Sequence, residues 1–554
     1  MADSDIRLES YVDWKGRPAS SSKHGGMKAA KFIFVVEVLE NMTFISIATN
    51  LITYFHSSMH YSIADSANML TNYMGTSFLL TLVGGFVSDS FVSRFWTIIF
   101  FGSIETLGLI MLTVQAQIPR MKPEVGSSEH PNAGQAGMLY TGLYMVALGA
   151  GGVKSSLPAH GADQFDSEGN NPLQKRLLST FFNFYFFSLC VGGLLAVTII
   201  VWVQDNLGWQ WGFFISTAAI FIALLSFALG LTTYSNKIPS GSPLTRIAQV
   251  IVAAMRNRKL PLHNSRVTDS TFPDYVASQQ TDQFRFLDKA TLGWEITSTR
   301  SRWRVCTVKQ VEETKLVLKL LPIFASTIMM NCCLAQLQTF SVQQGSTMNR
   351  ALHRLEIPAA SLTAIPLVFM VVLVPLYERA FVPLARRITG QESGITQLQR
   401  VGIGLLLSAV AMGVAAAVEM KRKRVATDHA LLDTAQPLPI SVMWLGWQFL
   451  VLGIADMFTL AGLLQFFYSQ APPGMKSLST SLSWCSTSFG YFLSSVLVMG
   501  VNRISQEFGS GVGWLSGNNL NRQRLDLFYW LLCILTSVNF FHYLFWAKWY
   551  KYKP

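Results

Sequence analysis

The sequence predicts an all-α membrane protein with twelve transmembrane helices, set as two groups of six around a central polar linker. Three observations carry that expectation. Only 13% of the 554 residues are charged and half are hydrophobic, whereas soluble domains use about 25% charged residues. A soluble chain of this length would divide into about three or four domains of ~150 residues, and these few charges could not cover their surfaces. Twelve spans of ~22 residues would use about half the chain, which matches the hydrophobic half and a mean hydropathy of +0.34. Finally, the apolar runs fall into two sets of six, separated by the polar stretch 235–314.

The first six runs lie near 29–55, 68–90, 94–118, 136–159, 178–204 and 210–234. The second six lie near 315–344, 357–383, 398–420, 440–468, 476–500 and 525–547. The expected organisation is a tail at 1–28, a six-helix bundle at 29–234, a linker at 235–314, a second bundle at 315–547 and a tail at 548–554. The 38 Phe, 16 Tyr and 14 Trp suit lipid-facing surfaces and interfacial belts.

Orientation follows the basic residues beside the spans. Arg7, Lys15, Arg17, Lys23, Lys28 and Lys31 precede the first span. The linker holds twelve Lys and Arg, and Lys548, Lys551 and Lys553 follow the last span. An even span count puts all three groups on one side, expected to be the cytosol. The +12 formal charge therefore points to anionic lipid headgroups and not to nucleic acid. One run disagrees: Lys421-Arg422-Lys423-Arg424 falls on the outer side. Within the linker, Leu244, Ile247, Ile251 and Ala254 recur every three or four residues between Pro243 and Arg256, which predicts an amphipathic helix on the membrane surface or bridging the halves. Two six-span halves joined by such a linker form the layout of the major facilitator fold. The first 26 residues lack an apolar core, so no cleavable signal peptide is expected. The six cysteines form no CxxC pair or Cys/His cluster; no metal, disulfide framework or cofactor is expected.

A charge at mid-bilayer costs about 2.5–3.5 kcal/mol on the insertion scale, so intramembrane charges need a reason. Glu37 and Glu40 sit three residues apart on one face of span 1. Lys154 follows Gly149-Ala150-Gly151-Gly152 in span 4, and Asp456 lies in span 10. Glu105 in span 3 is a weaker fifth. Structural ion pairs are one reading. The other is a substrate and proton site, with Lys154 suited to a carboxylate or other small anion, its glycines letting backbone or ligand approach, and the carboxylates able to take up protons.

The chain resembles the plant nitrate transporter/peptide transporter family (NPF), within the proton-dependent oligopeptide transporters of the major facilitator superfamily. The resemblance rests on His24-Gly25-Gly26, on Gly84-Gly85-Phe86-Val87-Ser88-Asp89-Ser90-Phe91-Val92-Ser93-Arg94 between spans 2 and 3, and on Phe181-Phe182-Asn183-Phe184-Tyr185-Phe186-Phe187 opening span 5. Ala335-Gln336-Leu337 and Phe340-Ser341-Val342-Gln343-Gln344 in span 7, and Phe528-Tyr529-Trp530-Leu531 opening span 12, extend it over nearly the whole chain. It implies a transporter and not an enzyme. Two departures bear on substrate. The family's span 1 motif, Glu-x-x-Glu-Arg/Lys, ends here in Asn41, and the span 7 histidine of its dual-affinity nitrate transporter is replaced by Leu334. The Glu-x-x-Glu-Asn form resembles subfamily 4, which includes abscisic acid importers, some of which also move gibberellins. The family pocket maps onto Ile45, Thr49, Met74, Leu334, Gln338, Pro366 and Tyr491, with Asn41, Lys154, Asn331 and Asp456 as polar points. Such walls suit a small hydrophobic carboxylic acid. Thr97 aligns with a threonine phosphorylated in the nitrate transporter, which implies a regulatory kinase.

Charge counting sharpens the mechanism. Without a basic residue at Asn41, Glu37, Glu40 and Lys154 sum to −1, and Asp456 would make −2. The expectation is that Glu37 or Glu40 is protonated in at least one state, while Lys154 pairs with the remaining carboxylate when empty and with the substrate carboxylate when loaded. The expected function is proton-coupled import of abscisic acid, and of gibberellin, across the plasma membrane by alternating access. Two alternatives stay open: a nitrate or di/tripeptide symporter of the same family, and a proton-uncoupled hormone facilitator.

Overall fold

The computed structural model describes residues 7–20, 23–61, 63–123, 131–165, 172–239, 241–259, 283–292, 303–352, 355–356, 362, 364–391, 393–433, 436–508, 513–516 and 519–552. Among the described residues, twelve helices are long and apolar enough to cross a membrane. Spans 1 to 6 are Gly26–Ser58, Met69–Ser90, Arg94–Gln117, Ala133–Asp163, Leu173–Asn206 and Trp209–Thr232; spans 7 to 12 are Val308–Ser346, Ala364–Thr389, Gln397–Asp428, Val442–Gln470, Pro473–Glu507 and Leu525–Trp549. Each overlaps one expected run. Several run a turn or more further because their ends are polar. Span 7 starts at Val308, not 315, with a reciprocal cap between Thr307 and Gln310. Its charged first turns hide it from a hydropathy reading: Lys315 Nζ reaches Asp288 at 2.6 Å and Glu312 at 2.8 Å.

The tail and the linker share one face. Strands β1 (Arg7–Val12), β2 (Pro18–Ser20) and β3 (Asn236–Lys237) form a small antiparallel sheet that ties the chain start to the linker start. The linker helix Pro243–Arg256 forms as expected, and its inward side keeps Ile251 and Ala254 of the expected stripe but adds Val250 and Ala253 in place of Leu244. Val250, Ala253 and Ala254 pack on Leu287, Ala290, Cys306 and Val311, while Leu244 is 48% exposed. The helix thus rests on the start of span 7 and not on lipid through the whole Leu244–Ile251 stripe. The Asn257 side chain caps this unit, donating to the carbonyls of Lys289, Leu292 and Arg304 at 3.0–3.1 Å.

The basic run at 421–424 is partly neutralised where it sits. Arg422 is fully buried and holds Glu419 through two bonds of 2.7 and 2.8 Å, with Asn521 Oδ1 at 2.5 Å. Lys423 pairs with Asp526 at 2.8 Å. Lys421 lies 3.3 Å over the Trp444 ring. Two of the four charges are thus paired with carboxylates, while Lys421 and Arg424 stay exposed, which halves the weight of the run as an orientation signal.

The two halves meet on the linker face. Gly85 lets span 2 press on span 11: a Cβ there would stand 3.0 Å from Leu478 Cα and from the Ser477 carbonyl oxygen. Arg94 bonds Asp89 at 2.9 Å, Ser477 Oγ at 2.6 Å and also Asp163; Asp163 accepts from Tyr468 at 2.7 Å, and Asp89 from the Leu478 amide at 2.8 Å. Glu378 of span 8 accepts from Thr180 at 2.6 Å and Asn183 at 2.5 Å of span 5. By contrast, span 7 packs mainly on spans 10, 11 and 12, with no substantial packing on spans 1 or 2 among the described residues. The linker face is therefore latched shut; contact between the halves continues along spans 2 and 11, where Ser488 Oγ donates to the Gly75 carbonyl at 2.8 Å, while spans 1 and 7 stay apart.

Candidate functional site

Span 1 brings both glutamates inside the first bundle, because its lipid-avoiding face runs through Ile33, Glu37, Glu40, Phe44 and Ile47, all buried. Span 4 brings Lys154, 2% exposed. Lys154 Nζ donates to Glu40 Oε2 at 2.6 Å and to Asn41 Oδ1 at 3.4 Å. Asn41 is fixed in turn by its Nδ2, which donates to the Leu189 carbonyl of span 5 at 2.7 Å. Glu37 is fully buried; among the described residues neither of its carboxylate oxygens meets a partner at full hydrogen-bond geometry, and the Tyr185 side chain of span 5 interacts with it.

The ammonium also has an aromatic surround absent from the sequence reading. Nζ lies 4.6 Å from the Phe44 ring centroid and 5.3 Å from that of Trp484 in span 11, distances at which ring faces attract a cation. Phe78 stacks on Trp484 at 5.8 Å and on Tyr491 at 6.3 Å, and meets Phe44 edge-on at 5.4 Å. Trp484 Nε1 donates to the Lys154 carbonyl at 3.1 Å, a bond between the two halves. The available signals were slight: Phe44 stands one turn beyond Glu40, and Trp484 is the one aromatic residue in the Ser/Thr-rich stretch 476–488.

The other expected site residues divide. Met74 is buried; Ile45, Thr49, Leu334, Pro366, Asp456 and Tyr491 are each half-buried. Asn331 is engaged within the second bundle, donating to Ser486 Oγ at 2.8 Å and accepting from Thr487 at 3.3 Å. The Gln338 side chain lies outside the described residues. Asp456 is not gathered to Lys154. It has no ion pair or hydrogen bond among the described residues, and the titratable group nearest it in effect is Cys190 of span 5. Thr97 is 1% exposed and donates to the Ser93 carbonyl at 3.1 Å, so its hydroxyl faces no kinase in this conformation. The glycines before Lys154 admit a helix: a Cβ on Gly149 would stand 2.5 Å from the Glu105 amide nitrogen.

Chemically, the arrangement offers one ammonium that can exchange a carboxylate partner, beside an acid that has no ion pair among the described residues, under aromatic walls. Among the described residues no group of three or more His, Cys, Asp or Glu is placed to hold a metal.

Known proteins share both sequence and fold. Residues 95–515 match the POT family. The chain is 50% identical to Protein NRT1/ PTR FAMILY 4.5 of Arabidopsis thaliana over 558 residues, spanning 99% of this chain and 97% of that one. It is 48% identical to Protein NRT1/ PTR FAMILY 4.6 of the same plant, over 99% and 98% of the two chains. Among solved structures, the POT family transporter PepTSo aligns over 95% of this chain and 99% of its own, with a TM-score of 0.64 at 19% identity. A POT family transporter in complex with 5-aminolevulinic acid aligns over 95% and 99%, with a TM-score of 0.60 at 12% identity. At those identities the solved structures speak for the fold alone: the major facilitator arrangement expected from the span count.

Proposed function

The chain belongs to the POT family of membrane transporters, in subfamily 4 of its NRT1/PTR members, and on that premise we propose that it imports a small hydrophobic carboxylic acid by proton-coupled alternating access. Abscisic acid is the preferred substrate and gibberellin a second; the site is the plasma membrane, with both termini and the linker in the cytosol. The observation that carries this reading is Lys154. It is held by a single carboxylate, Glu40, at 2.6 Å, with a neutral Asn41 where the family resemblance expects a base and with aromatic rings for neighbours. An amphipathic acid offers what that site lacks: a carboxylate for the ammonium and an apolar body for the walls.

The latched linker face supports an outward-facing start. The incoming carboxylate takes Lys154 from Glu40. A buried carboxylate left without its cation is costly, so Glu40 takes a proton from the medium as the pair breaks. Substrate anion and proton then cross together. The step is electroneutral and draws on the pH gradient, worth about 1.4 kcal/mol per unit. Release reverses the exchange: Lys154 returns to Glu40, and its proton leaves. Each ligand biases the inward–outward equilibrium only by its difference in affinity for the two states.

The test is uptake by cells expressing the full chain, with labelled abscisic acid, gibberellin, nitrate and a dipeptide side by side across external pH, with currents recorded. The expected result is saturable acid uptake that rises as external pH falls, with no net current, and its loss in Lys154→Gln. Nitrate or dipeptide uptake above control, with none of either acid, would replace the substrate assignment. Acid uptake independent of pH would make the chain a facilitator.

A further inference from the structure

Beside the Glu40–Lys154 pair stands a carboxyl group that neither the pairing nor the walls employ. Glu105 of span 3 is fully buried, and neither of its oxygens has a hydrogen-bond partner. Its backbone is pressed onto span 4 at Gly149, about one and a half turns from Lys154 toward the start of the helix, and the charges of Glu40 and Lys154 both act on it. Tyr73 of span 2, also buried and with no hydroxyl partner at full hydrogen-bond geometry among the described residues, lies in the field of both Glu105 and Glu40, with Ser77 beside it. Tyr185 of span 5 neighbours Glu37 in the same way. Among the described residues, five of the six carboxylate oxygens of Glu37, Glu40 and Glu105 thus lack a partner at full hydrogen-bond geometry around one ammonium.

We propose that Glu105 is a third proton-binding carboxyl of the transport site, which gives its proton to Glu40 when the substrate takes Lys154. The inference deepens the proton-coupled reading above and rests on it. A buried carboxylate with no hydrogen bond bears the full cost of lost hydration, and a carboxyl that carries its own proton avoids it. One ammonium compensates one anion, and Glu40 already has it. The titratable groups that face Glu105 are few. Span 4 offers Lys154; its His160 stacks instead on Phe227 and Tyr234, and Asp163 bonds Arg94, both farther toward the linker face. Span 2 offers Tyr73, while its Asp89 is held by Arg94. Span 6 carries no titratable side chain. The step itself is a proton transfer: an O–H bond breaks on Glu105 and one forms on Glu40, by way of the Tyr73 hydroxyl or water, and a proton from the medium restores Glu105.

The test is infrared difference spectroscopy of the purified full-length protein in lipid nanodiscs, titrated over pH, with no substrate needed. Glu105→Gln should remove one carboxylic C=O band and move the titration of the bands that remain by about one pH unit, as for interacting sites. Tyr73→Phe should keep the Glu105 band and shift it, and this variant decides the matter if Glu105→Gln does not fold. Spectra of Glu105→Gln, or of Tyr73→Phe, that superimpose on wild type at every pH would overturn the proposal. Uptake of labelled abscisic acid by the same variants separates the two readings. Wild-type uptake that ignores pH defeats coupling while leaving the proton site; pH-dependent wild-type uptake with a spectrally silent Glu105→Gln defeats only the role of Glu105.

Discussion

Asn41 holds span 1 to span 5 and presents its oxygen to Lys154, two tasks that a guanidinium, which only donates, could not combine. It leaves Lys154 as the one cation among Glu37, Glu40 and Glu105 within that cluster. Restoring a base should reverse the consequence. Asn41→Arg is expected to keep Glu40 ionised when Lys154 leaves it, flatten the pH dependence of uptake and weaken the apparent affinity for a monocarboxylic acid about tenfold, read from concentration curves at two pH values. Glu40→Gln tests the proton directly: the pH dependence should vanish while uptake persists, and a variant that keeps the full wild-type pH profile would take coupling away from Glu40. The meeting of Glu40 with Lys154 was foreseeable because two intramembrane charges of opposite sign have few other ways to lower their cost. The nearness of Glu105 was not, since it depends on how far span 4 lets span 3 approach at Gly149. Nor could composition show which of many aromatics would meet the ammonium.

At the scale of elements, hydropathy located all twelve helices and misjudged their ends wherever charged turns continue a helix beyond the lipid. Span 7 is extended in this way by the Lys315 pairs with Asp288 and Glu312, and span 9 carries Glu419 and Arg422 inward. The latter pair is fully shielded from solvent. Arg422→Ala should therefore destabilise the protein by about 3–5 kcal/mol, because it leaves Glu419 buried without its cation. The measurement is thermal unfolding in detergent. Little change would mean that Glu419 finds another partner, such as Gln344, which already donates to it at 2.6 Å. The linker helix shows the limit of periodicity. Spacing identified an amphipathic helix, but the start of span 7, unseen by a local pattern, chose the Val250–Ala253–Ala254 side.

Across the whole molecule, closure is concentrated on the linker face, where Arg94, Asp89, Asp163, Tyr468 and Ser477 join five spans of the two halves. Removing one charge-assisted bond of this kind is worth about 1.5–3 kcal/mol, enough to shift a two-state equilibrium by about ten- to a hundredfold. Arg94→Ala should raise the population open toward the linker, seen as longer spin-label distances between spans 4 and 11 on that face, and should slow net import. Unchanged distances would mean that the Glu378 link to Thr180 and Asn183 suffices to hold the halves.

Taken alone, the chain's residues determined the class of molecule, the number and order of its helices, the polar linker and the few buried charges. Each of these follows from a local cost: apolar runs must leave water, and intramembrane charges must find partners. The tertiary structure decided what depends on distance between separate helices. It placed Glu40, and not Glu37, on Lys154. It left Asp456 without an ion pair or hydrogen bond among the described residues, brought Glu105 against span 4 at Gly149, and latched one face while leaving spans 1 and 7 apart. A sequence lists which groups need company, and only the packing of helices against one another, glycine against backbone and ring against ammonium, says which of them receive it.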